Sequence, residues 1–451
     1  MFLQRFYDDS LAQASYLVGC AATGEALVVD PSRDVAQYVE AARREGLRVT
    51  HVTETHIHAD FVSGARELAA AAGARLLLSA EGGDEWQYAY AAADGATLLR
   101  DGDVVRVGNV RMDVLHTPGH TPEHLCFVVT DTAAADRPMG VFTGDFIFVG
   151  AVGRPDLLER AVHLQGTMEQ GARQLFASLK RFKAALPEWV QLWPGHGAGS
   201  ACGKSLGAVP TTTLGYERLF NRGLAETDEA AFVADVLAGQ PEPPMYFAEM
   251  KRLNREGPRI LGALPRPARR PDGELAEVLR AGGVVVDTRP AAEFGRRHVP
   301  GTLNVPLGKS FSTWAGSVLA YGRDFHLLAP EGADEERMAA AARDLAMIGL
   351  DGVAGWFAAS AIETAIGALG SAGALPDVQP DELEAVLADG AELVDVRNSS
   401  EYAAGHLAGA VNLPLGRLAE RLGELPRGRM LVVHCQSGMR ASVAASLLAA
   451  R

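Results

Sequence analysis

Two histidines and an aspartate alternate in the segment T-H-I-H-A-D-F, residues 55–61, directly after a predicted strand at 49–53. On an extended loop, alternate side chains lie on one side, so His56, His58 and Asp60 are expected to face one point. Imidazole and carboxylate groups are the usual ligands of zinc and non-haem iron. Three further clusters also follow predicted strands: Thr117-Pro118-Gly119-His120, Thr143-Gly144-Asp145 and Pro194-Gly195-His196-Gly197. Because layered α/β folds present ligand groups at strand ends, the sequence predicts a metal site on such a fold.

The length and charge of the chain limit the remaining possibilities. A chain of 451 residues is too long to fold around a single hydrophobic core, so two to four domains are expected. A formal charge of −14 disfavours nucleic acid as a partner. No signal peptide is evident at the N-terminus, and no apolar run is long enough to predict a membrane span. The four cysteines are widely spaced without a CxxC pair, which favours a reducing, cytoplasmic location: Cys20, Cys126, Cys202 and Cys435.

The C-terminal part of the chain contains an internal repeat. Residues 261–273 are dense in proline and arginine and are interpreted as a linker. Beyond them, the segment from Val284 to Pro306 matches a segment ending at Pro414, with an offset close to 108 residues. Two copies of one small α/β module are the simplest explanation, and we assign them to residues 274–370 and 371–451.

The four polar clusters resemble the metallo-β-lactamase superfamily over about residues 1–250. This resemblance implies an αββα sandwich, which we assign to residues 1–260. The family signature is H-x-H-x-D-H, followed by later His, Asp and His positions. In dinuclear members such as glyoxalase II hydrolases, the last histidine of the motif binds the second metal, and here that position is Phe61. Because a phenyl ring has no lone pair to donate, we expect a mononuclear site.

Within the superfamily, the chain resembles the persulfide dioxygenase branch most. That resemblance implies one Fe(II) per chain, bound by a facial set of two histidines and one carboxylate. Its three ligands here are His56, His120 and Asp145. The groups expected to surround and orient them are His58, Asp60 and His196. The G-R-x-D element of the branch is also present, and Arg154 and Asp156 are interpreted as a buried pair at the pocket floor, the alternative being a surface ion pair.

Cys202 lies six residues after His196, in a glycine-rich loop beside Lys204. A nearby cation favours the thiolate, so Lys204 is expected to activate this cysteine. Rhodanese-fused dioxygenases resemble this stretch, and on that basis Cys202 is predicted to guard or relay the persulfide. The alternative is a small loop residue without a chemical role.

The second repeat contains the loop C-x-x-G-x-R of the rhodanese family. It comprises Cys435, Gln436, Ser437, Gly438, Met439 and Arg440. Successive backbone N–H groups and a helix N-terminus form an anion-binding cradle that stabilises a persulfide on the cysteine, and Arg440 is expected to add positive charge for sulfite or thiosulfate. The first repeat has no cysteine at this place and carries Glu331, so we predict an inactive module. Family modules continue beyond the helix that ends near Arg451, so the second module is expected to be C-terminally incomplete.

Together, the two resemblances imply a sulfur-oxidising enzyme. Its substrates would be a thiol persulfide and O₂, its product sulfite, and its second activity sulfur transfer that forms or uses thiosulfate. The family is often oligomeric, so a homo-oligomer is expected. One alternative is a zinc thioester hydrolase of the glyoxalase II type with a rhodanese sulfur-carrier domain, which would need two metal ions. Another is a non-enzymatic sulfur carrier that uses Cys435 alone.

Overall fold

The computed structural model of the chain describes residues 1–157, 166–204 and 206–451. The chain divides into two compact units, Met1–Ala263 and Leu264–Arg451. The boundary lies within the predicted linker. However, Arg270 donates its backbone N–H to the carbonyl of Trp356, whose own N–H donates to the carbonyl of Ala268. The C-terminal part of the predicted linker is therefore paired with a strand of the second unit rather than unstructured, because its backbone groups complete that strand's edge.

The first unit contains two six-stranded sheets. The first sheet has the order β1 (Phe2–Asp8), β2 (Gln13–Cys20), β3 (Glu25–Val29), β4 (Arg48–Thr53), β5 (Arg75–Ser79) and β6 (Thr97–Leu99). Counted from its opposite edge, the second has β7 (Val104–Val107), β8 (Val110–His116), β9 (Leu125–Asp131), β10 (Gly140–Gly144), β11 (Gln191–Pro194) and β12 (Thr212–Thr213). The helices are α1 (Ala36–Arg44), α2 (Ala65–Ala72), α3 (Thr167–Ala185), α4 (Leu214–Phe220), α5 (Arg222–Ala225), α6 (Glu229–Leu237) and α7 (Phe247–Glu256).

Alternation along the strands arranges these elements in four layers. In β2, Tyr16 and Val18 point into the core between the sheets, whereas Leu17 packs towards α1 and α2. In β9, Phe127 lies in the same inter-sheet core, whereas Val128 packs towards α3 and α6. Since each sheet buries both faces, helices cover the two outer sides. The predicted αββα sandwich is confirmed.

The strand directions bring the polar clusters to one edge of the second sheet. Strands β8, β9 and β10 are successively antiparallel, so β8 and β10 run the same way, and β11 is parallel to β10. Their carboxyl ends therefore lie together, and these ends lead into the segments that carry His120, Asp145 and His196. The loop with His56 follows β4 of the first sheet. No helix within the described ranges is long and apolar enough to cross a membrane.

The second unit contains two parallel sheets that correspond to the two repeats. The first has the order β14-β13-β15-β16, from β13 (Val284–Asp287), β14 (Leu303–Asn304), β15 (Phe325–Leu328) and β16 (Val353–Phe357). The second has the order β18-β17-β19, from β17 (Glu392–Asp395), β18 (Val411–Asn412) and β19 (Leu431–His434). The helices are α8 (Glu274–Arg280), α9 (Ala291–Arg296), α10 (Phe311–Val318), α11 (Glu335–Met347), α12 (Ala361–Leu369), α13 (Leu383–Ala388), α14 (Ser399–Ala404), α15 (Leu415–Arg421) and α16 (Met439–Ala449).

The repeat extends to individual hydrogen bonds. Asp287 pairs with Arg289 at 2.6 Å, and Asp395 pairs with Arg397 at 2.6 Å. The side-chain amides of Asn304 and Asn412 each donate to the two backbone carbonyls of the Asp–Arg pair in their own module.

Strand register identifies the residue of the first module that corresponds to Cys435. Leu328 lies opposite Asp287, just as His434 lies opposite Asp395. The next residue is Ala329 in the first module and Cys435 in the second. A methyl group thus occupies the position of the sulfur in the first module, as the prediction of an inactive module requires.

Candidate metal centre and cysteine loop

The loop that carries His56 and His58 is held by a buried aspartate. Asp30 has a φ of 50°, a left-handed conformation that is uncommon for a residue with a side chain. One carboxylate oxygen accepts the backbone N–H of Thr55 at 2.6 Å and the Nε2–H of His58 at 3.1 Å, and the other accepts the Thr55 hydroxyl at 2.9 Å. These bonds fix the direction in which the loop leaves β4.

Three buried donor atoms face one another beside this loop. The ligand atoms of His56, His120 and Asp145 all lie within 4.8 Å of one another. His120 Nε2 is 3.5 Å, and His56 Nε2 is 3.9 Å, from Asp145 Oδ2. The Nδ1 atoms are engaged on the other side: that of His56 bonds Thr55 Oγ1, and that of His120 donates to the carbonyl of Arg154. This tautomer leaves both Nε2 lone pairs directed at the shared space.

The electrostatics of these groups suit a divalent cation. Burial, together with neighbouring histidines, lowers the pKa of His56 well below its ordinary value. Burial also lowers the pKa of His120, although Asp145 opposes the shift. Both rings are therefore neutral ligands. Both carboxylate oxygens of Asp145 are buried without a hydrogen-bond partner among the described residues. An unpaired buried carboxylate facing two neutral imidazoles is costly without a cation, so these residues fit a bound metal ion.

Two glycines allow the chain to approach Asp145 closely. A Cβ atom on Gly153 would lie 1.9 Å from the Asp145 carbonyl oxygen, and one on Gly195 would lie 2.8 Å from Asp145 Oδ1. A side chain at position 153 would therefore displace the Asp145 backbone, and one at position 195 would press on its carboxylate.

A second group of ligand atoms lies on the other side of Asp145. Asp60, His196 and Cys202 place their ligand atoms within 4.8 Å of one another, and all three residues are buried. His196 Nε2 is 3.2 Å from Asp60 Oδ2 and 3.5 Å from Asp145 Oδ1. Asp145 therefore lies between the two groups. Phe61 supplies no ligand, as expected, but the Cys202 thiol is a third donor of this group, and the prediction of a mononuclear site does not include it.

The expected activation of Cys202 by Lys204 is wrong. The Lys204 ammonium donates to the backbone carbonyls of Asp235 and Ala238, at 2.6 and 3.0 Å. Burial, with the charges of Asp60 and Asp145, raises the pKa of the Cys202 thiol well above its ordinary value. In the absence of a cation, this cysteine is a thiol rather than a thiolate.

Arg154 and Asp156 form a fully buried, bidentate pair. Nε and Nη2 of Arg154 donate to the two carboxylate oxygens of Asp156, each at 2.8 Å, and both side chains are 0% exposed. The guanidinium also donates to the carbonyl of Ala201, next to Cys202, while the Arg154 carbonyl accepts from His120. Arg154 thus connects a histidine of the metal site to the loop that carries the thiol, and the alternative of a surface ion pair is excluded.

Several residues that the sequence reasoning missed support the metal loop. Asn254, in α7, is 1% exposed; its amide donates to the carbonyls of His58 and Phe61, and its oxygen accepts the N–H of Ser63. No local signal marks it, since it lies almost 200 residues from the loop. His124 stacks on His56 with ring centroids 5.2 Å apart. It lies four residues after His120, and that spacing was visible in the sequence.

His58 and Phe61 pack against each other beneath the site, with ring centroids 4.4 Å apart. Burial disfavours the charged form of His58, but the surrounding carboxylates, Asp30 foremost, outweigh it and raise its pKa to about 9. His58 is therefore held as a cation against Asp30 and contributes no ligand atom to either group.

The predicted sulfur-transfer loop joins β19 to the N-terminus of α16. Gly438 has a φ of 83°, the left-handed conformation that turns the loop into the helix. Cys435 is half-buried, and Gln436 and Ser437 are exposed. Met439 opens α16 and is 39% exposed. The structure differs from expectation at Arg440, which was predicted to offer its charge to an anion. Its two Nη atoms donate to the carboxylate of Glu401, at 2.5 and 2.8 Å.

Comparison with known proteins agrees with this architecture. Residues 9–196 match the metallo-beta-lactamase superfamily, and residues 379–451 match the rhodanese-like domain. A solved metallo-beta-lactamase structure from Staphylococcus aureus subsp. aureus COL is 42% identical, with a TM-score of 0.69, over 79% of this chain and 99% of that chain. A solved ETHE1 structure from Myxococcus xanthus matches more weakly, with 27% identity and a TM-score of 0.46 over 58% of this chain and 100% of that chain.

Among curated proteins, a hydroxyacylglutathione hydrolase of Nitrosococcus oceani is 34% identical over 183 residues, which is 40% of this chain and 61% of that protein. Another, from a Polaromonas species, is 33% identical over 44% of this chain and 66% of that protein. The chain thus spans less than two thirds of these curated relatives. The fold, the His56–His120–Asp145 site and the near-complete match to the staphylococcal structure lead to one conclusion: the chain belongs to the metallo-beta-lactamase superfamily and carries a rhodanese-like domain at its C-terminal end.

Proposed function

We propose that the first unit is a persulfide dioxygenase with one Fe(II) held by His56, His120 and Asp145. The observation that carries this proposal is the donor set, two neutral imidazoles and one unpaired carboxylate facing a common space. This is the facial set of non-haem iron oxygenases, which leaves coordination positions open. Phe61 supports it, because it removes the histidine that a second ion would use in the dinuclear relatives.

The proposed reaction converts RSSH, O₂ and H₂O into RSH and H₂SO₃. The terminal sulfur loses the electrons that O₂ gains, so no further reductant is needed. Fe(II) would supply binding of O₂ and of the persulfide sulfur. The protein residues hold the donor atoms in place: Thr55 and the Arg154 carbonyl orient the two rings, and Asn254 fixes the loop beneath. Cys202, next to His196 and Asp60, is proposed to receive or guard the persulfide beside the metal.

In the second unit, we propose that Cys435 carries sulfur covalently. Its thiolate attacks the terminal sulfur of a persulfide and releases the carrier thiol. Sulfite then attacks the terminal sulfur of the enzyme persulfide, and thiosulfate leaves with the thiolate restored. The backbone N–H groups of the loop and the N-terminus of α16 stabilise the anionic sulfur. Sulfite made in the first unit would thus be a substrate for the second.

A zinc thioester hydrolase is the second candidate. Two observations favour it: the curated relatives are hydroxyacylglutathione hydrolases, and Asp60, His196 and Cys202 form a second donor group across Asp145. A two-metal site of this kind would activate a water for attack on a thioester. Fe(II) and Zn(II) chemistry differ in their need for O₂, so oxygen consumption distinguishes the two candidates.

The test is an oxygen-electrode assay on the full chain with the persulfides of glutathione, coenzyme A and cysteine. We expect O₂ uptake with release of sulfite or thiosulfate. His120→Ala should abolish uptake, whereas Cys435→Ser should keep uptake and shift the product from thiosulfate to sulfite. Hydrolysis of S-lactoylglutathione without any O₂ uptake on the persulfides would overturn the proposal in favour of the hydrolase.

A further inference from the structure

The cation of the sulfur-transfer loop is already neutralised by a carboxylate. Arg440 and Glu401 form a bidentate pair at 2.5 and 2.8 Å, with side chains 15% and 32% exposed. Hydrogen bonds from Arg440 lower the pKa of Glu401, so this carboxylate stays ionised at neutral pH. Hydrogen bonding to Glu401 raises the pKa of Arg440 against the effect of burial, and the Cys435 sulfur adds to the rise. The guanidinium of Arg440 is thus hydrogen-bonded to the Glu401 carboxylate and also interacts with the Cys435 sulfur.

The other charges of this module around the loop are also balanced. At the end of β17, Asp395 pairs with Arg397 at 2.6 Å. His434 lies 3.6 Å from Asp395, and burial lowers its pKa, which leaves it neutral at physiological pH. The loop side chains themselves, Gln436, Ser437 and Met439, carry no charge. Attraction of an anion to the module's loop therefore depends on backbone N–H groups, without a net positive charge from these side chains.

We propose that Glu401 is a specificity-determining residue of the sulfur-transfer site. By holding Arg440 as a compensated pair beside Cys435, it favours monoanionic thiol persulfides over dianionic thiosulfate as the sulfur donor. Glu401 acts through Arg440 and touches no substrate. This inference rests on the proposed sulfur-transfer function of Cys435 and adds the class of donor to it.

Both donors give the same enzyme persulfide, but they differ in charge. With a persulfide, the Cys435 thiolate attacks RSS⁻, a new S–S bond forms, and RS⁻ leaves. With thiosulfate, the same attack releases SO₃²⁻. Neither step needs an oxidant or a reductant. An uncompensated Arg440 would stabilise the second negative charge of thiosulfate. One additional charge–charge interaction near a partly exposed surface changes a binding equilibrium by roughly tenfold. With Glu401 in place, that advantage is absent.

The experiment measures persulfidation of Cys435 in single turnover, on the anaerobic full chain, by rapid quench and mass spectrometry. The donors are thiosulfate and cysteine persulfide. Glu401→Gln keeps a side chain that can accept the backbone N–H of Asn398, which Glu401 accepts at 3.1 Å, so α14 retains its cap. We expect the thiosulfate-to-persulfide ratio of second-order rate constants to rise about tenfold, through tighter thiosulfate binding rather than a faster maximal rate.

Two controls separate this effect from a structural one. Glu424→Gln removes the same charge from another bidentate pair of the same module, with Arg421, and should leave the ratio unchanged. In an Arg440→Gln background, Glu401→Gln should produce no rise, because the arginine it would release is absent. An unchanged ratio in Glu401→Gln, or an equal rise in the double variant, overturns the role of Glu401. Absence of any Cys435 persulfidation in the wild type with either donor overturns the proposed sulfur transfer as well.

Discussion

Substitution of Asn254 by alanine should loosen the metal site from a distance. The side chain is 1% exposed and makes three hydrogen bonds to the loop, with the carbonyls of His58 and Phe61 and the N–H of Ser63. Removing it leaves three buried backbone groups without partners, each costing about 1 kcal/mol or more. We expect the free energy of unfolding of the first unit to fall by about 3 to 4 kcal/mol.

The Fe(II) affinity of the Asn254→Ala variant should fall as well. Residues that orient a metal-binding loop typically change affinity by about 10- to 100-fold when removed. The assay is anaerobic Fe(II) titration against a competing chelator, alongside denaturant unfolding of the metal-free protein. The matched control is Asn221→Ala: Asn221 is 0% exposed and its side chain also makes three hydrogen bonds, to Ala151, Glu217 and Gly223, away from the metal loop. Asn221→Ala should lower the free energy of unfolding by a similar amount but leave the Fe(II) affinity within roughly threefold of the wild-type value. Equal affinity losses in both variants would refute the positioning role of Asn254.

Three further predictions concern the same unit. Phe61→His restores a nitrogen donor beside Asp60, so zinc titration should find two tight ions per chain in the variant and one in the wild type; equal stoichiometry would contradict the role given to Phe61. Burial raises the pKa of Glu123 to about 7 from 4.5, so the folded state binds an extra proton, and the metal-free protein should lose about 3 kcal/mol of stability as pH rises from 4.5 through 7. Burial also raises the pKa of Glu54 to about 7, so Glu123→Gln should reduce the pH dependence in urea unfolding without abolishing it, and an unchanged profile would contradict the role given to Glu123. Cys202→Ser should slow O₂ uptake or alter the range of persulfides; unchanged rates with every donor would remove the proposed relay.

Local patterns located the strands and polar clusters of the first unit, and the resemblance of those clusters to a known superfamily implied the αββα sandwich. Apolar, strand-like runs predicted β2 to β5 and β7 to β10 in the first unit, and polar clusters at strand ends pointed to one edge of a layered α/β fold. The strand directions confirm that edge. The repeat was equally readable, since Asp287 and Asp395 occupy matching positions in matching motifs. Residues that lie in a motif could therefore be predicted from the sequence alone.

Hydrogen-bond and ion-pair partners that lie far apart in the sequence could not be predicted in this way. Asn254 reaches its loop from α7, Glu401 reaches Arg440 across 39 positions, and Lys204 turns to carbonyls instead of to Cys202. Each contact depends on how helices pack, which no local pattern specifies. The error about Arg440 shows the consequence: a motif locates a charge, but the fold determines whether that charge is available to a ligand.

The central claim is tested most directly by metal content and oxygen uptake measured on one anaerobically prepared sample of the full chain. The account predicts one iron per chain, no stoichiometric zinc, and one O₂ consumed for each persulfide oxidised. Two zinc ions per chain, with thioester hydrolysis and no oxygen uptake, would contradict it.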